Sequence, residues 1–175
     1  MSVRIVIDSL DFVRNAGERH GKIPISEFKR LHSLLFDHGG ELSFYVAGQY
    51  DENERPGLYL EIQGNMQLNC QRCLDKLSYH VDIQTFLLLE KNETELIQHD
   101  DDDISDAILA APELDIVSLI EDEVMLDLSI SVRHPDNECS MHSPAPNKNH
   151  LIDQAKNKHP FAALASLKKQ IEPKE

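Results

Sequence analysis

Alternating apolar and polar positions in the middle of the chain predict three consecutive β-strands. Leu42, Phe44 and Val46 alternate with polar neighbours, and the same two-residue period returns over residues 58–66 and again over residues 77–89. This period places one side of each segment in a core and the other side in solvent. Because the connecting segments are short, the strands are predicted to pair as an antiparallel sheet and not through crossover helices.

Helical spacing flanks this sheet on both sides. Residues 3–7 are predicted to form a short strand, and Ser9 is predicted to cap the helix that follows it. Apolar residues three or four positions apart predict a second helix over residues 26–36. The clearest helical pattern covers residues 115–128, with Asp115 as the N-cap. The predicted fold class is therefore α+β, an antiparallel sheet packed by a few helices.

The composition changes sharply in the last quarter of the chain. Residues 134–159 are rich in Pro, Asn, Ser, His and Lys, and they offer too little apolar surface to offset the entropy lost on ordering. Residues 160–170 return to helical spacing, with Lys168 and Lys169 in the last turn. The predicted organisation is an α+β domain over residues 1–133, a mobile loop and a short C-terminal helix that docks on the domain or on a partner.

The negative charge is concentrated in one stretch of the chain. The formal net charge is −14, and residues 81–128 contain fifteen of the 31 acidic residues with a single Lys. Residues 1–40 and 129–175 have net charges of +1 and +2. The sequence pI of about 5.0 is therefore a poor guide to what the two ends bind. The four consecutive aspartates at residues 100–103 are more typical of a solvated loop than of a cation site, which needs spaced oxygen ligands.

Several functional classes have no support in the sequence. No window reaches the roughly 18 consecutive apolar residues of a membrane span, and Asp8 and Asp11 lie where a signal peptide would be apolar. Phosphate-binding glycine loops, dinucleotide glycine runs and nucleophile-elbow patterns are absent from the sequence. We therefore expect a cytoplasmic binding protein, without a membrane or small-molecule partner, and not an enzyme.

The three cysteines have the most specific chemistry in the chain. Cys70 and Cys73 have the C-x-x-C spacing at which two thiolates reach one zinc ion from a tight turn. Cys139 is the third thiol, and His134 is the first candidate for the fourth ligand, ahead of His142. The candidate metal site is thus Cys70, Cys73, His134 and Cys139, with zinc as the candidate cofactor.

Two other interpretations of the cysteines stay open. In one, the thiols bind no metal and only pack or lie free. In the other, Cys70 and Cys73 form a thioredoxin-like redox pair, which requires the first cysteine at a helix N-terminus. Strand-like sequence on both sides of the pair disfavours the redox interpretation.

Three sequence blocks in a fixed order are together more specific than any single motif. One surrounds the C-x-x-C pair, the next leads from the predicted helix to the His/Cys loop, and the last is the C-terminal helix: residues 68–74, residues 114–126 with His134 and Cys139, and residues 159–168. Over about residues 8–169 they resemble the bacterial YceD family, the large ribosomal RNA subunit accumulation proteins. Residues 129–132 depart from the apolar, proline-rich sequence usual there. The resemblance implies a factor required for normal levels of large-subunit (23S) ribosomal RNA, acting in ribosome assembly without known catalysis.

Two functional hypotheses follow. The first is a ribosome-biogenesis factor whose basic residues bind rRNA or a pre-ribosomal particle, because lysine and arginine form phosphate contacts without requiring a basic fold. Few aromatic residues are present, so weak sequence specificity is expected. The second is an acidic interaction module or chaperone for a basic ribosomal protein, acting through residues 81–128. Candidate RNA or partner contacts are the basic residues Arg14, Arg19, Lys22, Lys29, Arg30, Arg72, Lys168 and Lys169.

Overall fold

A computed structural model describes residues 4–94, 106–135 and 138–139 of the chain. All of them belong to one compact unit, Met1–Ser140. Several predictions fall wholly or mainly outside the described residues: the loop over 134–159, the helix over 160–170, and the positions of His142, Lys168 and Lys169.

In the described part of the chain, seven strands form two sheets. In chain order they are β1 (Val6–Ile7), β2 (Glu18–Pro24), β3 (Glu41–Tyr50), β4 (Pro56–Asn69), β5 (Lys76–Glu90), β6 (Ala107–Leu109) and β7 (Leu114–Asp115). Strands β2 to β6 lie side by side in sequence order, antiparallel except for the parallel pair β5–β6, and β1 pairs antiparallel with β7. The α+β class and the antiparallel pairing predicted over residues 42–89 are confirmed.

One face of the larger sheet carries the hydrophobic core. Along β3, Leu42, Phe44 and Val46 are buried while Glu41 and Ser43 are exposed, as the two-residue period requires. The helices α1 (Ser9–Arg14) and α2 (Ile116–Asp127) contribute buried residues to the same core cluster. The opposite face of the sheet carries polar side chains on its central strands, among them Ser43, Glu61 and Asp82.

The N-cap predicted for helix α2 is confirmed, and the N-cap predicted for helix α1 is wrong. Asp115 caps α2 as predicted, with its carboxylate accepting from the Val117 backbone N–H at 3.0 Å. Ser9 does not cap α1, because Asp8 does so by accepting from the Asp11 N–H at 3.0 Å. Ser9 is instead buried, and its hydroxyl donates to the Ala111 carbonyl at 3.1 Å. The buried serine thereby joins α1 to the segment before β7.

The α-helix predicted over residues 26–36 is wrong. The structure has two 3₁₀ turns there, Ile25–Glu27 and Leu31–Ser33. The chain then runs along the end of β4, where the Phe36 N–H donates to the Gln67 carbonyl at 2.8 Å. An apolar spacing of three residues fits the three-residue turn of a 3₁₀ helix as well as it fits an α-helix. Phe28, Leu31 and Leu35 are buried on this different backbone, whereas Leu34 is half-buried and Phe36 is exposed.

Strand β2 is not predicted by the sequence pattern. Of its seven residues only Ile23 is buried, and the strand contains a glycine and a proline. As an edge strand it is solvated along one side, so no strict alternation is required. Two of the candidate basic contacts, Arg19 and Lys22, lie on this strand.

Gly48 lies where α1 crosses β3, and it provides a test of that contact. A Cβ at this position would lie 2.6 Å from the Val13 Cα and 2.7 Å from the Phe12 carbonyl oxygen, and neither backbone atom can rotate away. We expect Gly48→Ala to lower the free energy of unfolding by about 1–3 kcal/mol, measured by urea denaturation. Gly39→Ala is the matched control, because its Cβ would meet only the Asp37 carboxylate. Equal stability of the two variants would contradict the contact.

Candidate metal centre

A short turn between β4 and β5 holds two of the cysteines. This turn, residues 70–75, is called the knuckle below. The Cys70 N–H donates to the Asp75 carbonyl at 3.0 Å, and the Leu74 N–H donates to the Cys70 carbonyl at 2.8 Å. Leu74 adopts a left-handed backbone conformation with φ of 62°, which turns the chain back into β5. The knuckle therefore places the Cys70 and Cys73 thiols together on a rigid loop.

The segment after α2 brings the other two candidate ligands to the knuckle. The Gln71 N–H donates to the Val132 carbonyl at 2.9 Å, which fixes the extended chain just before His134. His134 Nε2 lies 3.1 Å from the Lys76 carbonyl oxygen. Because that oxygen can only accept a hydrogen bond, Nε2 carries the proton, and in the neutral form of the ring Nδ1 keeps a lone pair toward the thiols. The hydrogen bonds of the ring with Cys139 and with the Lys76 carbonyl raise the pKa of His134.

The four candidate ligands form one cluster. Cys70 Sγ lies 3.6 Å from Cys139 Sγ, and His134 Nδ1 lies 3.4 Å from Cys73 Sγ and 3.6 Å from Cys139 Sγ. All four donor atoms lie within 4.8 Å of one another. Tetrahedral zinc with the usual bond lengths separates its ligand atoms by about 3.5–3.8 Å. The structure thus brings together the four residues selected from the sequence, and the Cys70–Cys139, Cys73–His134 and Cys139–His134 distances are close to those of a tetrahedral Cys₃His site.

The electrostatics of the knuckle favour a thiolate at Cys70. Burial raises the pKa of this thiol, but hydrogen bonds from the backbone N–H groups of Cys73, His134 and Arg72 outweigh it and lower the pKa to about 5. At Cys73 the backbone N–H of Asp75 lowers the pKa of the thiol. Burial and the neighbouring Cys70 sulfur raise it by more, so the net direction is upward. At neutral pH the metal-free cluster therefore combines a thiolate with a protonated thiol. Metal binding requires all three cysteines as thiolates, so it would release the remaining thiol protons.

Arg72 contacts the cluster directly. Its Nε donates to Cys139 Sγ at 2.9 Å, and its Nη2 donates to the Pro135 carbonyl at 3.4 Å. Three thiolates, a neutral imidazole and a divalent ion carry a net charge of −1, which the guanidinium offsets. The sequence suggests Arg72 as an RNA contact, and gives no sign that it also orients a ligand, because the partner cysteine is 67 residues away.

Among the described residues, the candidate contact Arg19 lies far from Arg72 along the sheet. In the strand register Arg19 lies opposite Val46, which lies opposite Leu60, and ten residues of chain separate Leu60 from Cys70. That distance is about 30 Å along a strand. Several of the candidate basic residues also have intramolecular partners: Arg14 pairs with Asp11, Lys22 with Glu41, and Arg30 with Glu121 and Asp122.

Comparison with known families assigns the chain. The family model described as large ribosomal RNA subunit accumulation protein YceD matches residues 58–168, more than half of the sequence. The chain belongs to the YceD family. The matched span contains all four candidate ligands of this YceD-family protein. The match confirms the resemblance found in the sequence, over residues 58–168 and not over the whole of residues 8–169. No curated protein and no solved structure matches the chain.

The family description narrows the functional class. It refers to accumulation of large-subunit ribosomal RNA and to no enzymatic activity. Among the residues described in the structure, no helix has the length and apolar character needed to cross a membrane.

Proposed function

We propose that this YceD-family protein is a non-catalytic ribosome-biogenesis factor that acts in the cytoplasm. It supports the accumulation or processing of large-subunit (23S) rRNA by binding rRNA or a pre-ribosomal particle. The observation that carries the proposal is the family match over residues 58–168, which includes the knuckle, α2 and the basic C-terminal segment up to Lys168.

The shape of the knuckle supports a role in binding. Its thiols face inward, with Cys70 fully buried, while Gln71, Arg72 and Leu74 are exposed. Leu74 in particular is 70% exposed at the outer end of the turn. A rigid loop that presents an arginine and an apolar side chain around a buried centre is suited to contact a macromolecular surface.

We further propose that the Cys₃His cluster binds one zinc ion. Four protein donors complete a tetrahedral site and leave no open position for substrate, which is typical of structural and not catalytic zinc. The ion would fasten the segment after α2 to the knuckle, since Cys139 and His134 come from one and Cys70 and Cys73 from the other. In this role zinc orders a binding surface.

Phosphate contacts are assigned to the basic residues Arg14, Arg19, Arg72, Lys168 and Lys169. Arg19 donates to the carbonyl of its neighbour Glu18 at 3.0 Å, a contact that leaves the guanidinium charge without a carboxylate partner among the described residues. Arg14 pairs with Asp11 at 2.8 Å on the surface. Exposed pairs of this kind contribute about 0–1 kcal/mol, so Arg14 can exchange its carboxylate for a phosphate at little cost.

The second candidate function is that of an acidic module for a basic ribosomal protein. One local observation favours it at α2. The pKa of Glu123 is raised by burial and by the negative charges of Asp106 and Asp122, so this end of the acidic stretch has excess negative charge. Such a field attracts a cationic partner.

Charge reversal in the C-terminal segment tests the rRNA proposal. We expect Lys168→Glu with Lys169→Glu to lower association with pre-ribosomal particles at least tenfold. The slope of log affinity against log salt should fall by about 0.7–0.9 for each lost phosphate contact. Tagged protein is recovered from cells with its bound RNA, which is sequenced, and the salt dependence is measured on purified particles.

The matched control makes the same change in net charge at two other lysines near the C-terminus. Lys156→Glu with Lys158→Glu should leave association nearly unchanged. Equal losses in the two double variants would show a general charge effect and contradict the proposal. Loss of binding on Asp122→Asn with Glu123→Gln, and not on lysine reversal, would favour the acidic module.

A further inference from the structure

The face of the large sheet opposite the core carries a row of aromatic rings. Tyr45 on β3 and Tyr59 on β4 have ring centroids 6.3 Å apart at an interplanar angle of 63°. Tyr59 lies directly opposite Phe86 on β5, and the Phe86 ring covers Gly57 so closely that a Cβ there would lie 2.3 Å from it. The rings thus cross three adjacent strands on the face of the sheet opposite the core.

Carboxylates surround this aromatic row. The Gln63 side-chain amide donates to Glu61 at 3.0 Å and to Asp82 at 3.2 Å, which holds the two carboxylates on either side of one amide. Glu18 on β2 lies close enough to the Tyr45 hydroxyl to influence its ionisation. Burial, followed by the charges of Glu18 and Glu61, raises the pKa of Tyr45, which shows that these groups share one site.

Within residues 4–94 and 106–135, none of the three carboxylates forms an ion pair. The neighbouring cation on this side of β2, Lys22, is paired with Glu41. Exposed residues continue the surface around the carboxylates, among them Ser43 and Gln84. A pocket lined by Ser43, Phe44, Tyr45, Glu61 and Gln63 opens beside the first ring. The face therefore combines uncompensated negative charge, π surfaces and a shallow recess.

We propose that this sheet face binds an arginine-rich segment of a partner protein. A guanidinium is planar, stacks on tyrosine rings and donates two parallel hydrogen bonds to a carboxylate, which are the three features that the face accommodates. Charge decides between classes of macromolecule, because Glu18, Glu61 and Asp82 repel nucleic-acid phosphates and attract cations. The surface lies along the sheet away from the knuckle, because Glu61 on β4 precedes Cys70 by nine residues, so it adds a protein contact to the proposed rRNA function.

Binding of synthetic peptides to the full chain tests the assignment. The probes are a fluorescent arginine–serine peptide, its lysine–serine analogue, and a short oligouridine. We expect the arginine peptide to bind at least fivefold more tightly than the lysine peptide in fluorescence anisotropy, because lysine cannot stack in the same way. NMR shift changes on adding the arginine peptide should fall on Tyr45, Tyr59, Glu61 and Asp82.

Variants of the carboxylates separate site binding from general attraction to an acidic protein. Glu61→Gln with Asp82→Asn keeps the shape of both side chains and should lower the affinity for the arginine peptide at least tenfold. Glu52→Gln with Glu54→Gln removes the same charge from the exposed β3–β4 loop and should change affinity less than twofold. Lys168→Glu with Lys169→Glu should leave peptide binding intact, which keeps this test independent of the rRNA proposal.

Three results would overturn the assignment. They are equal losses in the two acidic double variants, equal affinity for arginine and lysine peptides, and shift changes that fall outside β2 to β5. Binding of oligouridine to the same residues would assign the face to nucleic acid instead. Because the shift mapping uses the unmodified protein, the proposal is tested even where a variant fails to fold.

Discussion

Cys139→Ser is expected to reduce bound zinc from about one ion per chain to less than a tenth. Cys139 Sγ lies 3.6 Å from both Cys70 Sγ and His134 Nδ1, so its removal leaves three ligands. Serine has almost the same size but is a poor ligand for zinc at neutral pH, because its hydroxyl stays protonated. Elemental analysis of protein purified without chelator measures the effect.

The control for this experiment is His142, the second candidate for the fourth ligand in the sequence. His142→Ala should keep the full equivalent of zinc, since His134 supplies the nitrogen donor to the cluster. Retention of zinc by His134→Ala and its loss in His142→Ala would assign the fourth ligand differently. Unmodified protein with less than a tenth of an equivalent, and no gain when zinc is added, would reject the metal site altogether.

Glu121→Ala is expected to lower the free energy of unfolding by about 2–4 kcal/mol. The carboxylate is only 9% exposed and accepts from the Arg30 backbone N–H at 2.6 Å, from Arg30 Nε at 3.0 Å and from the Leu31 N–H at 3.4 Å. Its removal leaves the backbone donors of the 3₁₀ segment without their acceptor. Urea denaturation followed by circular dichroism gives the value.

Asp122 is a matched control on the next position of the same helix. Its carboxylate pairs with the same Arg30 guanidinium but is 52% exposed. Asp122→Ala should cost about 0–1 kcal/mol, because solvent screens the pair and hydrates the freed guanidinium. If the two variants lost the same stability, the buried hydrogen bonds of Glu121 would have no special role.

The parts of the fold that follow from local periodicity were predictable. Strands β3 to β5 and helix α2 each bury one face, and their apolar residues recur at the corresponding period. Residues 25–36 were not predictable in this way. Their backbone is set by Glu121, a residue 91 positions from Arg30, and by pairing of Phe36 with Gln67, which no local window contains.

The candidate metal ligands could be selected because cysteine is rare in this chain. With three thiols present, Cys70 and Cys73 define a pair and Cys139 is the remaining sulfur. The contact of Arg72 with Cys139 and the aromatic row at Tyr45 could not be found in this way, because arginine and tyrosine occur widely on surfaces. Their roles depend on which strands become neighbours, and that is fixed by the tertiary structure.

The pairing of β1 with β7 affects how the chain can fold during synthesis. Val6 lies opposite Asp115, and the Ile116 N–H donates to the Ile5 carbonyl at 2.8 Å. Strands β3 to β5 need only short turns to pair, whereas β1 must wait until more than a hundred further residues have left the ribosome. The segment translated before α1 is therefore among the last to become fixed. In a chain whose synthesis stops before Leu114, β1 would have no partner strand. A protease would then cleave near the N-terminus, far from the point where synthesis stopped.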